Sequence, residues 1–325
     1  MKITQKDIAN KLGVSVSLVS RVLSGQADKI GANKFTVETI LSLAKSMNYI
    51  PSSAALALKG KKIKTIGVVV YDFEDEYFSL LIKNLQKLSH EYDYSLILVG
   101  FLNRIPKEEH LVPLRKHSID GIIILGSFGD LAWTSAFSHL PIAKIGHGKG
   151  KNIQDTIALN EIDAMQKIIN YLNKDLGFKD IYFAGKDRKV HLMRKKIFKG
   201  ICTKMDINFE SFTKDGTEFE AGKSIAKDII SSGKLPQAIV SANDIIAMGI
   251  ISEFYKNGIK VPQDVSIIGF DNIVSASNYI PPISSFSQPI EEFAREAFES
   301  VIKRTPRQKI LIKGDLVLRQ SSKKL

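Results

Sequence analysis

The sequence predicts a small all-α domain built around a helix-turn-helix, followed by an α/β domain of two lobes with parallel sheets and helices on both faces. Apolar residues recur at helical spacing within the first 50 positions, whereas short β-branched apolar runs alternate with helical stretches from Ile63 onwards. A chain of 325 residues also exceeds the length of about 250 to 300 residues at which one hydrophobic core stops growing. We therefore expect three parts: residues 1–50, a linker over 51–62, and residues 63–325.

Two helices joined by a tight turn are predicted at the N-terminus. Thr4 is the expected N-cap of a helix over Gln5–Leu12, because an acidic residue and an apolar pattern follow it. Gly13 supplies a left-handed turn, Ser15 caps the second helix, and that helix stops at Ser24-Gly25. Small or apolar residues at helical spacing pack the two helices together, namely Ile8, Ala9, Val19 and Val22.

The second helix leaves Val16, Ser17, Ser20 and Arg21 outside this core, towards its N-terminal half. Arginine can donate two hydrogen bonds to a guanine edge, valine can contact a thymine methyl group, and serine hydroxyls can bond phosphates or bases. This pattern favours a helix that reads the major groove of DNA. The alternative is a three-helix bundle that binds a protein.

The charge of the chain bears on these alternatives because it is unevenly distributed. Residues 1–64 contain 11 Lys+Arg and 3 Asp+Glu, a net charge of +8, so the other 261 residues carry only +4 of the total of +12. Such a concentration is typical of a module that binds phosphates. A solvated basic face would give the same count.

A third helix and a linker complete the N-terminal part. Thr36 is the expected N-cap of this helix, and Pro51 ends it because the residue before proline avoids the helical conformation. Its apolar face comprises Ile40, Leu43, Ala44 and Met47. Residues 52–58 have good helix propensity but are too few to form a stable helix alone, so we expect them to fold only with help from a partner.

The rest of the chain contains two series of predicted strands, and hence two lobes. The first series is Thr65 to Tyr71, Ser95 to Val99, Gly121 to Leu125 and Ile142 to Ile145; the second is Ile181 to Ala184, Ala238 to Val240 and Val265 to Ile268. Continuous apolar strands separated by helices indicate parallel sheets that are covered on both faces. Because ligands bind beyond the carboxyl ends of such strands, the cleft between the lobes is the expected ligand site.

Composition and motifs argue against other classes. A content of 44% hydrophobic and 25% charged residues indicates a globular chain, and residues 1–7 lack the apolar core of a secretory signal, so we expect a cytoplasmic protein. The single Cys202 excludes an internal disulfide, and the six histidines offer no zinc spacing. The run from Gly146 to Gly150 is similar to a nucleotide-binding loop, but the next helix is predicted only near Glu161. We expect no enzyme, no metal and no cofactor.

The N-terminal pattern resembles the signature of the LacI/GalR (lac repressor/galactose repressor) family. The matching segments are Thr4-x-x-Asp7-Ile8-Ala9-x-x-x-Gly13-Val14-Ser15-x-x-x-Val19-Ser20-Arg21-Val22-Leu23, Asn48-Tyr49-x-Pro51 and Ile66-Gly67-Val68-Val69. Further matches extend through Ala242-Asn243-Asp244, Gly269-Phe270-Asp271, Ser287-Gln288-Pro289 and Leu318-Arg319-Gln320-Ser321. The resemblance covers almost the whole chain and implies the fold of periplasmic sugar-binding proteins.

The resemblance also implies a homodimeric transcriptional regulator that binds a pseudo-palindromic operator in double-stranded DNA under the control of a small effector, a sugar or sugar derivative. Residues 52–58 would form a hinge helix that folds on DNA and inserts Leu58 into the minor groove. The residues predicted to contact DNA are Thr4, Ser15, Val16, Ser17, Ser20, Arg21, Ala55 and Leu58.

Six residues are predicted to contact the effector: Asp72, His147, Arg194, Phe219, Asn243 and Asp271. Asn243 and Asp271 match effector contacts of the family, although both could instead cap helices or fix loops. Phe219 is a candidate for stacking on a ring, and Asp72 follows from its place at the end of the first strand.

Two departures from the family put a sugar effector in doubt. Ile197 stands where relatives have an arginine, and Gly146 stands where many have an aspartate. Two alternatives remain. Either Arg194, Lys196 or His147 takes over with a different, anionic ligand, or the cleft has lost strong binding.

Overall fold

The structure is a computed structural model that describes residues 3–49, 62–100, 108–127, 131–148, 150, 152–304 and 309–323. The contacts within it divide the chain into two units, Met1–Ile63 and Lys64–Leu325. Residues 51–61 of the predicted linker lie outside the described residues.

The smaller unit contains three helices, α1 (Gln5–Leu12), α2 (Val16–Leu23) and α3 (Lys34–Ser46), and a short 3₁₀ turn at Asp28–Ile30. The first two helices lie where the sequence predicts them. Gly13 ends α1 with the predicted left-handed backbone (φ 65°), because glycine has no side chain to oppose it. The fully or almost fully buried core consists of Ile8, Ala9, Val19, Val22, Ile40 and Ala44.

The predicted start of the third helix at Thr36 is wrong. Asn33 is the N-cap instead, and its Oδ1 accepts a hydrogen bond from the backbone N–H of Phe35 at 2.9 Å. Asparagine is among the best N-cap residues because its side-chain oxygen satisfies a backbone donor that the helix leaves unpaired. The helix therefore starts almost one turn earlier than expected, and it ends at Ser46.

The larger unit contains two six-stranded sheets. Sheet 1 has the order β11-β5-β4-β3-β1-β2 and sheet 2 has the order β12-β10-β9-β8-β6-β7. The strands of sheet 1 are β1 (Thr65–Val70), β2 (Ser95–Gly100), β3 (Gly121–Leu125), β4 (Ile142–Ile145), β5 (Asp155–Leu159) and β11 (Ile310–Ile312). The strands of sheet 2 are β6 (Ile181–Gly185), β7 (Ser211–Thr213), β8 (Ala238–Ser241), β9 (Ser266–Asp271), β10 (Ser284–Ser287) and β12 (Asp315–Val317). All neighbouring pairs are parallel except β10 and β12.

Helices cover these sheets and define two lobes. The first lobe is sheet 1 with α4 (Glu76–Glu91), α5 (Val112–Lys116) and α11 (Ile290–Lys303). The second lobe is sheet 2 with α6 (Glu161–Asn170), α7 (Lys189–Lys204), α8 (Glu218–Ser231), α9 (Asp244–Lys256) and α10 (Val274–Ser277). The chain crosses between the sheets three times, after β5, after β10 and after β11. No helix in the described part of the chain has the length and apolar character needed to span a bilayer.

All seven predicted strands are present, but five more strands are not in the prediction: β5, β7, β10, β11 and β12. The strand β10 illustrates why. Its sequence is Ser-Ser-Phe-Ser, yet Ser284 and Ser285 are completely buried. Hydrogen bonds satisfy their hydroxyl groups, since Ser285 donates to Asp244 and Ser284 bonds Ser322. Buried hydroxyl groups with partners elsewhere in the chain cannot be recognised from an apolar pattern.

Asp244, at the start of α9, is the centre of this buried polar network. Its Oδ1 accepts a hydrogen bond from Ser285 Oγ at 2.6 Å, and its Oδ2 accepts one from the Ile273 N–H at 2.9 Å. Burial, together with the nearby charge of Asp271, raises the pKa of Asp244 to about 8, although these hydrogen bonds and Arg319 oppose the shift. The folded protein therefore keeps on Asp244 a proton that the unfolded chain releases near pH 3.8.

We predict that Asp244 makes the protein less stable as the pH rises from about 4 to about 8, because the folded state then binds more protons than the unfolded state. Asp244→Asn has no proton to lose, so its unfolding free energy should fall less steeply over this range. Urea unfolding at pH 5, 7 and 9 measures the slope, with the exposed Asp187→Asn as control. A wild-type slope in the Asp244→Asn variant would contradict the assignment.

Candidate nucleic-acid interface and ligand cleft

The outer side of α2 forms one continuous polar surface with the residues that flank it. Val19 and Val22 are buried against α1 and α3, so the opposite side of the helix faces solvent. An open hollow of about 520 Å³ lies on this side, lined by Gln5, Val16, Ser17, Ser20, Arg21, Ser24 and Gln26. Four of the predicted DNA-contacting residues are therefore brought together on one surface.

The other predicted DNA contacts are placed differently. Thr4 and Ser15 do not line the hollow, and their hydroxyl groups cap helices. Thr4 Oγ1 accepts from the Asp7 N–H while Asp7 Oδ2 accepts from the Thr4 N–H, a reciprocal capping box, and Ser15 Oγ accepts from the Leu18 N–H at 3.1 Å. Ala55 and Leu58 lie outside the described residues, so their contacts stay predictions.

Three residues of this surface were not predicted: Gln5, Ser24 and Gln26. Ser24 continues the helical spacing of Ser20 and Arg21 just beyond the end of α2, whereas Gln5 lies at the start of α1 and Gln26 in the turn after α2. The sequence signal that could have placed these residues on the surface is their polar character at the ends of the two helices. The side chain of Arg21 is exposed and forms no ion pair with the described residues.

The second candidate site is a cavity of about 90 Å³ between the two lobes. Its first-lobe side includes Tyr71, Asp75, Tyr77, Phe78, Ser127, Gly146, His147 and Phe293, and its second-lobe side includes Glu161, Arg188, Lys189, His191, Arg194, Asn243 and Asp271. Four of the six predicted effector residues, His147, Arg194, Asn243 and Asp271, line this one cavity. His147, Asn243 and Asp271 lie at or just after the ends of β4, β8 and β9, and Arg194 lies in the second turn of the helix that follows β6, so the carboxyl ends of strands from both sheets converge here, as expected for open α/β sheets.

Arg194 is buried, and each of its nitrogen atoms has a protein partner. Its Nε and Nη2 donate to the two carboxylate oxygens of Glu161 at 2.8 and 3.1 Å, and its Nη1 donates to the Ala242 carbonyl at 2.7 Å. Its guanidinium carbon lies 3.5 Å from the centre of the Phe270 ring. This is a bidentate, stacked arginine, a geometry that lysine cannot reproduce.

Glu161 links this pair to the first lobe. Its Oε1 lies 3.3 Å from Nε2 of His147, which follows β4. Burial alone would raise the pKa of Glu161, but the Arg194 charge and the hydrogen bonds from His147 and Arg194 outweigh burial and hold the pKa below its ordinary value. Glu161 is therefore ionised at neutral pH and compensated within the cavity wall.

Asn243 and Glu218 form a second polar group at the cavity. Asn243 caps α9 by accepting from the Ile246 N–H at 2.9 Å, and its amide donates to Glu218. Arg188 forms an ion pair with the same carboxylate, and its guanidinium lies 5.7 Å from the centre of the Tyr71 ring in the first lobe. Asn243 thus has a capping role and a place in the cavity wall at the same time.

Further contacts join the lobes beside the cavity. Tyr77 Oη donates to Gln288 Oε1 at 3.3 Å, and Gln288 Nε2 donates to Asp271 Oδ1 at 2.6 Å. In addition, Glu76 of α4 accepts hydrogen bonds from the backbone N–H of Val274 and from the backbone and hydroxyl group of Ser275, all in the second lobe. Polar contacts of the chain itself therefore hold the two lobes together around the cavity.

Two predicted effector residues do not line the cavity. The carboxylate of Asp72 accepts from the Glu74 N–H at 2.9 Å and stabilises the turn after β1. Phe219 lies where α8 crosses α9, with its carbonyl oxygen in the space that a side chain on Gly249 would need. The close packing of α8 against α9 places the Phe219 ring against the core. Strand topology alone did not predict this packing.

The departures from the family signature have a simple structural account. Ile197 is half-buried and packs against the core, and Lys196 is exposed and does not line the cavity. Gly146 does line it with a φ of 125°, a backbone conformation that side chains other than glycine rarely adopt. Arg194, one of the predicted substitutes, is therefore the buried cation at this position, but Glu161 already neutralises it.

A helix-turn-helix unit with an exposed polar recognition surface, combined with two α/β lobes that enclose a cavity, defines a ligand-responsive DNA-binding regulator. Comparison with known proteins agrees. Residues 4–52 match the family "Bacterial regulatory proteins, lacI family" and residues 173–322 match the family "Periplasmic binding protein-like domain".

Whole-chain relatives show the same relationship. The chain is 30% identical over 335 residues to the HTH-type transcriptional repressor PurR of Histophilus somni strain 129Pt, with 99% of each chain covered. Among solved structures, it is similar to the Lac repressor dimer bound to operator and the anti-inducer ONPF (TM-score 0.84, 20% identity, 99% of each chain). It is also similar to the Lac repressor bound to ONPG (TM-score 0.82, 21% identity, 99% and 100% of the two chains). This protein therefore belongs to the lacI family of bacterial regulatory proteins.

Proposed function

We propose that this protein is a transcriptional repressor that binds operator DNA through α2 and whose affinity for the operator is controlled by a small molecule bound between its lobes. The observation that carries the proposal is the common exposed surface of Val16, Ser17, Ser20 and Arg21. Their side chains supply a bidentate donor for guanine, hydroxyl groups for phosphates or bases, and a methyl contact for thymine. A protein with this task works in the cytoplasm, and no catalytic step is needed.

The relatives support the regulatory part of the proposal. PurR is named a transcriptional repressor, and the Lac repressor structures contain operator DNA or small ligands. The excess of positive charge in residues 1–64 would provide affinity for any DNA sequence through release of counterions. Base contacts from α2 would then select the operator.

The protein should act as a homodimer, since one helix-turn-helix reads only half of a site and symmetric sites are read by symmetric proteins. The second lobe presents an apolar surface suited to this purpose. Ile280 and Tyr255 are 88% and 83% exposed, and both line one groove together with Ile251, Val261 and Pro281. Large apolar side chains that share an exposed groove indicate a protein contact.

We predict that Ile280→Glu converts the dimer to a monomer and weakens operator binding. A charge placed in an apolar contact loses its hydration without gaining a partner, which should raise the dimer dissociation constant about tenfold or more. Sedimentation velocity over a range of concentrations measures this constant. Ile162→Glu is the matched control, because Ile162 is also exposed (64%) but lies on α6, outside the groove. Equal association of both variants and the wild type would exclude this surface.

The experiment that tests the proposed function is selection of bound sequences from a random duplex library by the purified, ligand-free protein at physiological salt. Enrichment of a palindrome is the expected result, because two half-sites related by symmetry are bound by two copies of α2. Weak binding that decreases steeply with salt and enriches no motif would contradict the proposal. In that case the α2 surface would be a candidate for binding a protein.

A further inference from the structure

One polar side chain at the hollow of α2 comes from α1. Gln5 is the first residue of α1, and it lines the hollow together with Val16 and Arg21 of α2. Ile8 and Ala9 follow Gln5 by three and four positions and are buried in the core of the smaller unit. Because residues three and four apart lie on one side of a helix, Gln5 is on the side of α1 that faces this core. That side of a helix favours apolar residues, so a glutamine at its end indicates a polar partner outside the core.

The backbone at Gln5 is held in place before any partner binds. Thr4 caps the helix, since its N–H donates to Asp7 Oδ2 at 2.8 Å and its Oγ1 accepts from the Asp7 N–H at 3.3 Å. The side chain of Gln5 is half-buried. A group that is already positioned loses less conformational entropy when it forms a hydrogen bond with a partner. Gln5 is therefore suited to a contact that depends on exact position.

The carboxamide of Gln5 is available for such a contact. No hydrogen bond joins it to another residue in the part of the chain that the structure describes. The hydroxyl groups of Thr4 and Ser15, in contrast, accept hydrogen bonds from the backbone as helix caps. A glutamine side chain has one acceptor oxygen and two N–H donors. Gln5 thus presents a donor and an acceptor side by side at the hollow.

The charges at the start of α1 distinguish a base contact from a phosphate contact. Lys6 is exposed and does not line the hollow, and a cation in that position is suited to a phosphate. Gln5 is neutral and lies inside the hollow, where Arg21 is the one charged residue among the described residues that line it. A neutral carboxamide gains less from the charge of a phosphate than a cation does. It does match the edge of adenine, which presents an amino donor at N6 and an acceptor at N7.

We propose that Gln5 reads an adenine in each half-site of the operator, so that base recognition extends from α2 to α1. The amide group of Gln5 donates to adenine N7, and its carbonyl oxygen accepts from the N6 amino group. Arg21 donates to O6 and N7 of a guanine elsewhere in the same half-site. This inference rests on the proposed operator binding and adds a specificity-determining residue to it. Each half-site therefore contains an adenine and a guanine that are read from different helices.

The test repeats the selection from a random duplex library with the full-length, ligand-free wild type and Gln5→Ala. The variant should lose the preference for adenine at one position of each half-site and keep the guanine that Arg21 reads. Binding isotherms then compare the selected operator with a duplex in which this base pair is replaced in both half-sites. The wild type should bind the selected operator about 25-fold or more tightly than the altered duplex, from about fivefold in each half-site. Gln5→Ala should bind the two about equally.

Gln5→Glu gives a second readout that a folding defect cannot imitate. Glutamate accepts from the N4 amino group of cytosine, so the selected base at this position should change from adenine to cytosine. If Gln5 contacted a phosphate, the added negative charge would weaken binding to every sequence and leave the selected motif unchanged. Asn10 is the matched control, because it is an exposed carboxamide on the same helix and does not line the hollow. Asn10→Ala and Asn10→Glu should both retain adenine.

Two results would overturn the assignment of Gln5. One is selection of the wild-type motif by Gln5→Ala, and the other is an equal loss of affinity for the operator and for scrambled duplex in both Gln5 variants. In either case the wild type would still select a palindrome, so the proposed repressor function would stand. A wild type that selects no motif would contradict the repressor function and base reading by Gln5 together.

Discussion

Replacing Arg21 with alanine should remove most of the preference of this protein for its operator over random DNA. A bidentate arginine–guanine contact contributes about 1 to 3 kcal/mol of discrimination in each half-site. Because two copies of α2 bind one operator, we expect the binding free energy for the operator to weaken by about 2 to 6 kcal/mol, or roughly 30-fold to more than 10⁴-fold in affinity. Binding isotherms at one salt concentration, on the selected operator and on scrambled duplex, measure the affinity for the operator and the affinity for random DNA.

The matched control for this variant is Lys11→Ala. Lys11 belongs to the same unit and is exposed, but it does not line the hollow of α2. If Arg21 reads a base, its replacement should weaken operator binding far more than binding to scrambled DNA, whereas Lys11→Ala should affect both duplexes similarly. An equal loss on both duplexes for Arg21→Ala would mean that Arg21 contacts only phosphates.

Arg194→Leu should destabilise the larger unit by about 3 to 5 kcal/mol, since removing one partner of a buried ion pair leaves the other charge uncompensated. The side chains of Arg194 and Glu161 are only 5% and 4% exposed, so solvent cannot replace the lost guanidinium. The variant also loses the hydrogen bond to the Ala242 carbonyl and the stacking on Phe270. Urea unfolding at pH 7 measures the change. Lys196→Leu, an exposed position on the same helix, is the control and should have little effect.

The pH dependence of the stability lost in Arg194→Leu shows whether the broken ion pair or lost packing causes it. In the wild type the pKa of Glu161 lies below 4.5, so the ion pair stabilises the folded protein above that pH and is lost as the pH falls. Without Arg194, burial raises the pKa of Glu161, and the folded variant then loses stability as the pH rises above about 4.5. The difference between variant and wild type should therefore shrink from pH 7 to pH 4. A constant difference would instead indicate lost packing.

The Arg21 prediction concerns the smaller unit and the Arg194 prediction concerns the larger unit. The sequence alone explains more of the first than of the second. The α2 surface follows from helical periodicity once Val19 and Val22 are assigned to the core, and the structure brings the four predicted residues together. Helical geometry is local, so the sequence spacing of four residues within one helix determines which side of the helix they face. The start of α3 was misplaced because Asn33 and Thr36 are both good caps, and local sequence does not decide between them.

The cavity could be predicted only in part. The resemblance to the family led to Asn243 and Asp271, and the departures from it led to Arg194 and His147; all four line the cavity. Asp72 was expected from its place at the end of the first strand and Phe219 as a ring for stacking, but neither lines the cavity. Whether a side chain near a strand end faces the cavity depends on its local turn and on helix packing, and neither is encoded in the strand pattern.

By itself, the sequence determined the first two helices, seven of the twelve strands that the structure describes, the exposed side of α2 and the basic charge of the N-terminal unit, because periodicity and charge are properties of consecutive residues. Only the tertiary structure decided that Glu161 and Asp271 both form ion pairs with Arg194. The residues of these two pairs lie 33 and 77 positions apart in the chain, from 194 minus 161 and 271 minus 194. Ion pairing between such distant residues depends on which strand ends the two sheets bring together and on how much water is excluded there.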